Sequence, residues 1–162
     1  MKRAAALPVL LAGCALVQPA LQAGDDADTV RAKLGSPRAE YALPSGQRKW
    51  AYPTGPFGKH TTMVTLDAAG HVAHWVEALT EANFNAIEAG LTRQQLLERL
   101  GPPGRVWSVY YHDQTVWTYR YNNMQCQVFH VGLTPQGVVE DTSYGPDPMC
   151  ERHSVLTPGG ES

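Results

Sequence analysis

Two helix stops of the same kind, 66 residues apart, constrain the fold of this chain more than any other feature of its sequence. The first is "RAKLGSPRAE" (31–40) and the second is "LERLGPPGRV" (97–106). In each, an apolar stripe ends in Leu-Gly, and a proline follows that cannot continue a helix. The chain is therefore expected to contain one structural unit twice.

The match between the two halves extends well beyond the helix stops. It holds at an offset of 66 upstream and of 67 downstream, as a single inserted residue requires. The matched structural positions are Gly24 with Gly90, Gly35 with Gly101, Pro37 with Pro103, Trp50 with Trp117, Tyr52 with Tyr119, and Gly70 with Gly137. Agreement on both sides of one insertion indicates an internal duplication.

Each unit carries the signals of a helix followed by antiparallel strands. Asp26 and Thr92 stand where an N-cap is expected, and Thr92 begins a capping box. The glycine after each helix suits a left-handed C-cap, and Gly70 and Gly137 suit the positive-φ position of a hairpin. Residues 80–90 predict an added short helix. The expected fold class is α+β, with a helix and an antiparallel meander of three or four strands, twice in tandem.

The aromatic stretch "RVWSVYYHDQTVWTYRY" (105–121) predicts two alternating strands around a turn. Trp107 and Tyr111 share one face of the first strand. Trp117 and Tyr119 recur in both units and are assigned to the core, although a binding surface on the sheet is the alternative. Three aromatic residues without a counterpart in the other unit are the candidate interface: Trp75, Tyr110 and Tyr121.

The first residues predict export and a lipid anchor. A basic start and a short apolar run (4–12) suit a secretory signal and are too short to span a bilayer. The run ends in "LAGC" (11–14), which resembles the bacterial lipobox, in which Cys14 is the lipidated residue. Ala15 after it implies passage to the outer membrane under the sorting rule of many Gram-negative bacteria. The alternative is an ordinary signal that is cut near 21–23.

The chain has three cysteines, an odd number for an exported protein. If Cys14 carries lipid, Cys126 and Cys150 remain as a pair in an oxidising compartment. A disulfide between them would stabilise the fold by about 3 kcal/mol through the entropy of the unfolded chain. Two separate thiols are the alternative, and the small exported domain favours the disulfide.

Charge and motifs exclude several classes of function. The formal net charge of −2 comes without a basic patch for nucleic acid or a polybasic stretch for anionic lipid. His71 and His74 have a metal-like H-x-x-H spacing, but on a predicted strand they point to opposite faces. No P-loop, C-x-x-C or G-x-S-x-G motif is present. We expect no catalytic residue, no metal and no cofactor.

The runs "NAIEAGLTRQQLLERLGPP" (85–103) and "LQAGDDADTVRAKLGSP" (21–37) resemble the signature of the BamE/SmpA-OmlA lipoproteins. In that signature a capped helix with an L-G-x-P stop precedes W-x-Y and a final hairpin. The resemblance implies a small α+β periplasmic domain that assists the assembly of β-barrel proteins without catalysis. BamE has one such unit and this chain has two. Tandem units of similar shape occur in the β-lactamase inhibitor proteins, which present a concave aromatic face to an enzyme.

These observations predict a signal peptide (1–13), a tether (14–20), two units (21–78 and 79–150) and a disordered tail (151–162). The chain is expected to be a non-catalytic, protein-binding lipoprotein on the periplasmic face of the outer membrane. Its expected partners are the barrel-assembly machinery or other envelope proteins. The alternative is an inhibitor-like binder of a periplasmic or extracellular enzyme. A duplicated lipoprotein with some other partner is a third reading. The six residues of tether after Cys14 reach roughly 20 Å, which favours a partner close to the membrane.

Overall fold

The computed structural model describes residues 20–150, which form two four-stranded antiparallel sheets and three short helices. In chain order the elements are α1 (Ala27–Leu34), β1 (Ala39–Ala42), β2 (Arg48–Pro53), β3 (Thr61–Leu66), β4 (Val72–Glu77), α2 (Glu81–Phe84), α3 (Arg93–Leu100), β5 (Arg105–Val109), a 3₁₀ turn (Tyr110–His112), β6 (Gln114–Arg120), β7 (Gln127–Leu133) and β8 (Val139–Pro146). Sheet 1 is β1-β2-β3-β4 and sheet 2 is β5-β6-β7-β8, each a meander in sequence order. This α+β architecture fits the predicted two-unit layout.

Several predictions fall outside the described residues. They concern the signal peptide (1–13), the lipidated Cys14, the tether up to residue 19 and the tail (151–162). Within residues 20–150, no helix has both the length and the apolar character needed to cross a bilayer.

The duplication holds for the backbone as well as for the sequence. α3 begins and ends 66 residues after α1. Isolated bridges join each N-cap to the last hairpin of its own unit, Asp26 to His71 and Thr92 to Val138. The β3–β4 and β7–β8 pairs both shift register at the residue where the hairpin begins. Such shared irregularities indicate that both units fold by the same local rules.

The helix caps explain why each helix begins and ends where it does. The Asp26 carboxylate accepts a hydrogen bond from the backbone N–H of Thr29 at 2.7 Å, and Thr92 forms a capping box with Gln95. Gly35 has φ 81° and ψ −169°, and Gly101 has φ 74° and ψ −170°. The predicted positive φ is present, but the left-handed C-cap is wrong because ψ lies far from the helical range. The chain leaves each helix extended, in a region that essentially only glycine enters.

Helix α3 lies between the two sheets, whereas α1 covers the outer face of sheet 1. The outer core consists of Val30 of α1 and four residues of sheet 1 and its hairpin: Trp50, Val64, Leu66 and Val72. The main core joins the other face of sheet 1, α2, α3 and sheet 2, and includes Tyr41, Ala51, Met63, Phe84, Leu96, Leu100, Trp117, Tyr119, Phe129 and Val131. The layers therefore run α1, sheet 1, α3, sheet 2. Within residues 20–150, no helix lies across the second face of sheet 2, although the helical residues 148–150 lie at its edge.

Polar contacts fix α3 against both sheets. Lys49 Nζ of sheet 1 donates to the Glu98 carbonyl at 3.0 Å, and Tyr119 Oη of sheet 2 donates to the Gly101 carbonyl at 3.2 Å. Trp50, Trp117 and Tyr119 are all buried, and Tyr52 is half-buried beside the outer core. The recurring aromatic positions thus serve packing in both units.

The two helix-ending glycines offer a matched test of this arrangement. A Cβ at Gly101 would lie 3.0 Å from Thr61 Cγ2 and 3.4 Å from Ala51 Cβ, whereas a Cβ at Gly35 would meet nothing within 4 Å. We expect Gly35→Ala to destabilise the fold by about 1–3 kcal/mol through backbone strain alone. Gly101→Ala should cost about 1–3 kcal/mol more, because it also overpacks the junction. Urea unfolding measures both values, and equal losses would contradict the close approach of α3 to sheet 1.

Candidate functional site

The structure separates the three aromatic residues predicted as an interface. Trp75 lies on the edge strand β4 and is 42% exposed, and Tyr110 lies in the turn after β5 and is 92% exposed. The expected exposure of Tyr121 is corrected, because this residue is only 2% exposed. Its ring continues the buried face of β6 and packs edge-to-face on Phe84, and its Oη donates to Glu81 at 3.1 Å. The two exposed residues stand on different sheets and do not form one site.

The uncovered face of sheet 2 carries a hydrogen-bonded row of side chains across three neighbouring strands. Trp107 Nε1 of β5 donates to Thr118 Oγ1 of β6 at 3.2 Å. Thr118 Oγ1 lies 2.9 Å from His130 Nδ1 of β7, and the Trp107 and His130 rings meet edge-to-face at 6.1 Å. Each side chain is thereby held in one orientation before any ligand binds.

The hydrogen bonds of Trp107 and Thr118 bear on the tautomer of His130. Thr118 Oγ1 accepts the indole proton of Trp107, so its own hydroxyl proton is available to His130 Nδ1. With Nδ1 as the acceptor of this proton, the neutral ring carries its own proton at Nε2, where it is a donor. Burial lowers the pKa of His130, and the nearby positive charge of Arg105 lowers it further, which favours the neutral ring.

Two loops raise walls beside this face and form a groove of about 720 Å³. The β2–β3 loop of the first unit is held by a hydrogen bond from the Arg120 guanidinium to the Phe57 carbonyl, and the Phe57 ring is exposed. The chain after β8 forms the other wall with Met149. It is anchored by Asp147, which is 1% exposed and lies 2.7 Å from Arg120 Nη2.

The predicted disulfide is present beside the second wall. Cys126 and Cys150 are bonded, with their Cα atoms 6.0 Å apart. The backbone N–H of Asp147 also donates to the Cys126 carbonyl at 2.7 Å. The disulfide and this hydrogen bond together fix the β8 end against the β6–β7 loop.

The chemistry of the groove suits binding better than reaction. Thr118 and His130 have the spacing of a nucleophile and its base. Trp107 already donates into the Thr118 oxygen, and no carboxylate among residues 20–150 orients His130. In the same part of the chain, no group of three or more His, Cys, Asp or Glu side chains is placed to hold a metal ion. His71 lies directly before β4, His74 lies on it, and both residues are exposed.

Sequence reasoning did not single out Thr118, His130 or Phe57. A signal for the first two does exist in the duplication. At an offset of 67, Thr118 stands where the first unit has Ala51, and His130 stands where it has Met63. Two apolar positions of one copy have become polar in the other, on the same face of the sheet.

Comparison with known proteins assigns no family. No protein family model and no curated protein matches the chain. A DUF4309 family protein from Bacillus subtilis aligns at 15% identity and a TM-score of 0.30, over 75% of this chain and 78% of its own. A cysteine-rich secretory protein from Staphylococcus aureus aligns at 11% identity and 0.30, over 78% of this chain. An extracellular protein with an SCP domain from Bacillus anthracis aligns at 10% identity and 0.31, over 100% of this chain.

The chain spans about half the length of the latter two proteins, 45% and 56%. At these TM-scores the three similarities carry no argument about fold or function.

The lowered pKa of His130 predicts a loss of stability in mild acid. The unfolded state takes up a proton near the ordinary value of 6.5, before the folded state does. The contribution of His130 to stability is therefore constant above that value and falls as the pH drops toward its folded pKa. The free energy of unfolding should fall more between about pH 7.5 and about pH 5.5 for the native chain than for His130→Gln. An equal decrease in both proteins would contradict the burial of a neutral ring.

The disulfide should contribute measurably to stability. The two cysteines are 24 positions apart, so replacement of both by Ser should lower the free energy of unfolding by about 3 kcal/mol. Urea unfolding with and without a reductant measures the effect. The reductant should lower the midpoint of the native chain and leave the double variant unchanged. A native chain insensitive to reductant would contradict a stabilising role.

Proposed function

We propose that this protein is a non-catalytic, protein-binding lipoprotein, held by Cys14 at the periplasmic face of the outer membrane. The groove over sheet 2 is its binding surface in this proposal. The observation that carries it is the group of exposed large apolar side chains that line the groove: Phe57, Trp107 and Met149. Sheet 1 is packed by α1 on one face and by α3 on the other, and its exposed large apolar residues Trp75 and Val76 lie on β4, away from the groove.

The composition of the groove is typical of protein interfaces. Aromatic residues, Met and Arg are enriched where proteins bind each other, and they dominate the energy of binding. Trp107 is 39% exposed although its indole N–H is already paired. A ring held in place and open to solvent can bury apolar area on a partner at a small cost in side-chain entropy. The groove therefore supports recognition of another protein.

The partner is proposed from the sequence. The BamE-like signatures in both units and the lipobox support an accessory role in β-barrel assembly or envelope integrity. The tether of about 20 Å keeps the binding surface close to the membrane. The alternative, an inhibitor-like binder, is supported by the open aromatic face of sheet 2. The two differ in whether binding needs the membrane anchor.

Crosslinking of the tagged protein in its own envelope, followed by mass spectrometry, tests this proposal. Trp107→Ala should reduce recovery of the partner by about tenfold or more, as for a central interface residue. Trp75→Ala is the matched control, since that indole is equally exposed on the other sheet. Thermal unfolding of both variants verifies that they are folded. Loss of recovery in Trp75→Ala alone would overturn the assignment of the groove.

The Cys14→Ser variant separates the two functions. Barrel-assembly subunits recovered with the native protein and lost with this variant would support the accessory role. One soluble enzyme recovered equally with both proteins would overturn it and establish the inhibitor-like alternative.

A further inference from the structure

The floor of the groove is the repeat counterpart of the surface on which α3 rests. Four residues line the centre of the floor: Trp107, Thr118, Val128 and His130. At the repeat offsets of 66 and 67, their counterparts in the first unit are Tyr41, Ala51, Thr61 and Met63. All four counterparts are buried, and three of them belong to the core that α3 completes. The first unit therefore shows what packs on the corresponding part of its own sheet.

The occupant in the first unit is the last turn of a helix. The backbone of Gly101 approaches Thr61, Ala51 and Met63 so closely that a Cβ would lie within 3.4 Å of each. The last carbonyl groups of a helix have no partner inside it and carry its negative dipole end. In sheet 1, Lys49 Nζ supplies a donor and a positive charge to one of these groups, the Glu98 carbonyl.

The groove differs from its counterpart on sheet 1 in ways that favour the binding of an acidic helix end. Thr118 and His130 replace Ala51 and Met63, and His130 Nε2–H makes no hydrogen bond within residues 20–150. Arg120 and Asp147 in the lining pair with each other, which leaves the positive charge of Arg105. The groove therefore combines the apolar side chains of Trp107 and Val128 with a donor and a net positive charge.

We propose that the groove binds the C-terminal turn of an amphipathic helix of a partner protein, and that this turn carries an acidic side chain, as α3 carries Glu98 beside Tyr41 and Lys49 of sheet 1. This inference rests on the proposed function and names the kind of surface that the partner presents. The carbonyls and the acidic side chain of that turn meet Arg105 and His130, and its apolar residues cover Trp107 and Val128.

A second copy of this chain is a poor occupant. Its α1 is the counterpart of α3, and the last turn of α1 carries two basic residues, Arg31 and Lys33, where the inference requires an acidic one. Both charges would repel Arg105. Arg31 is also engaged within its own unit, over the Trp50 ring at 4.3 Å and beside Glu40 at 3.4 Å.

Two peptides derived from α3 test the inference on the full-length Cys14→Ser chain. Both carry the sequence of residues 91–103: the Glu peptide is unchanged and keeps Glu98, and the Arg peptide carries Glu98→Arg. In nitrogen-edited NMR titrations, the Glu peptide should shift the Trp107 indole N–H signal saturably and leave that of Trp75 unchanged. It should bind about tenfold tighter than the Arg peptide, as one charge-assisted hydrogen bond provides. Equal affinities, or a silent Trp107 signal with both peptides, would overturn the inference.

Variants of the chain test which groove residues give the difference in affinity between the two peptides. Arg105→Gln should remove most of the preference for the Glu peptide. Thr118→Ala combined with His130→Met recreates the apolar residues of sheet 1, so this variant should lose most of the preference for the Glu peptide. A double variant that keeps the preference of the native chain would contradict the assignment of these two residues.

The outcome also distinguishes failure of the inference from failure of the proposed function. If neither peptide binds but Trp107→Ala still loses its partner in the envelope, the helix inference fails and the binding function stands. If the peptides bind and no partner depends on Trp107 in the envelope, the proposed function fails at this surface. Self-association in sedimentation, abolished by Trp107→Ala, would give the groove to a second copy and overturn the inference.

Discussion

The packing of α3 between the two sheets is the interaction on which the rest of this structure depends. Each unit alone has about 60 to 70 residues, a size at which a single core is marginal. α3 avoids this limit because Leu96 and Leu100 lie in a core that draws side chains from both sheets. Gly101 permits the close approach, since its backbone enters a region that essentially only glycine enters and leaves no room for a Cβ. One short helix thereby turns two small units into one folded body.

This arrangement makes two equivalent sheets unequal. Sheet 1 is covered on both faces, and sheet 2 on one. In proteins built from stacked repeats, a terminal face is usually made polar so that stacking stops there. The changes from Ala51 to Thr118 and from Met63 to His130 follow that rule, but Trp107 stays aromatic and exposed. A face that only ends the stack would have no use for such a ring, which is why we assign it to recognition.

The parts of the fold that the sequence predicted are those set by local chemistry. The N-cap at Thr92, the positive φ of Gly70 and Gly137, and the two-unit layout all follow from neighbouring residues and from repetition. Burial was harder to predict. Alternation along β6 places Tyr121 with Trp117 on one face, but it does not say that α2 packs against that end of the strand. The contacts of Thr118 join three strands, and no local pattern reveals such a row.

The walls of the groove show why the duplication matters for function. Its floor belongs to the second unit, and one wall is the β2–β3 loop of the first. Arg120 joins the two, since its guanidinium donates to the Phe57 carbonyl and pairs with the buried Asp147 of the other wall. A single unit of this type would have a sheet and a helix but neither this wall nor this link. The binding surface is therefore a product of the tandem arrangement, and a partner that recognises it recognises both units at once.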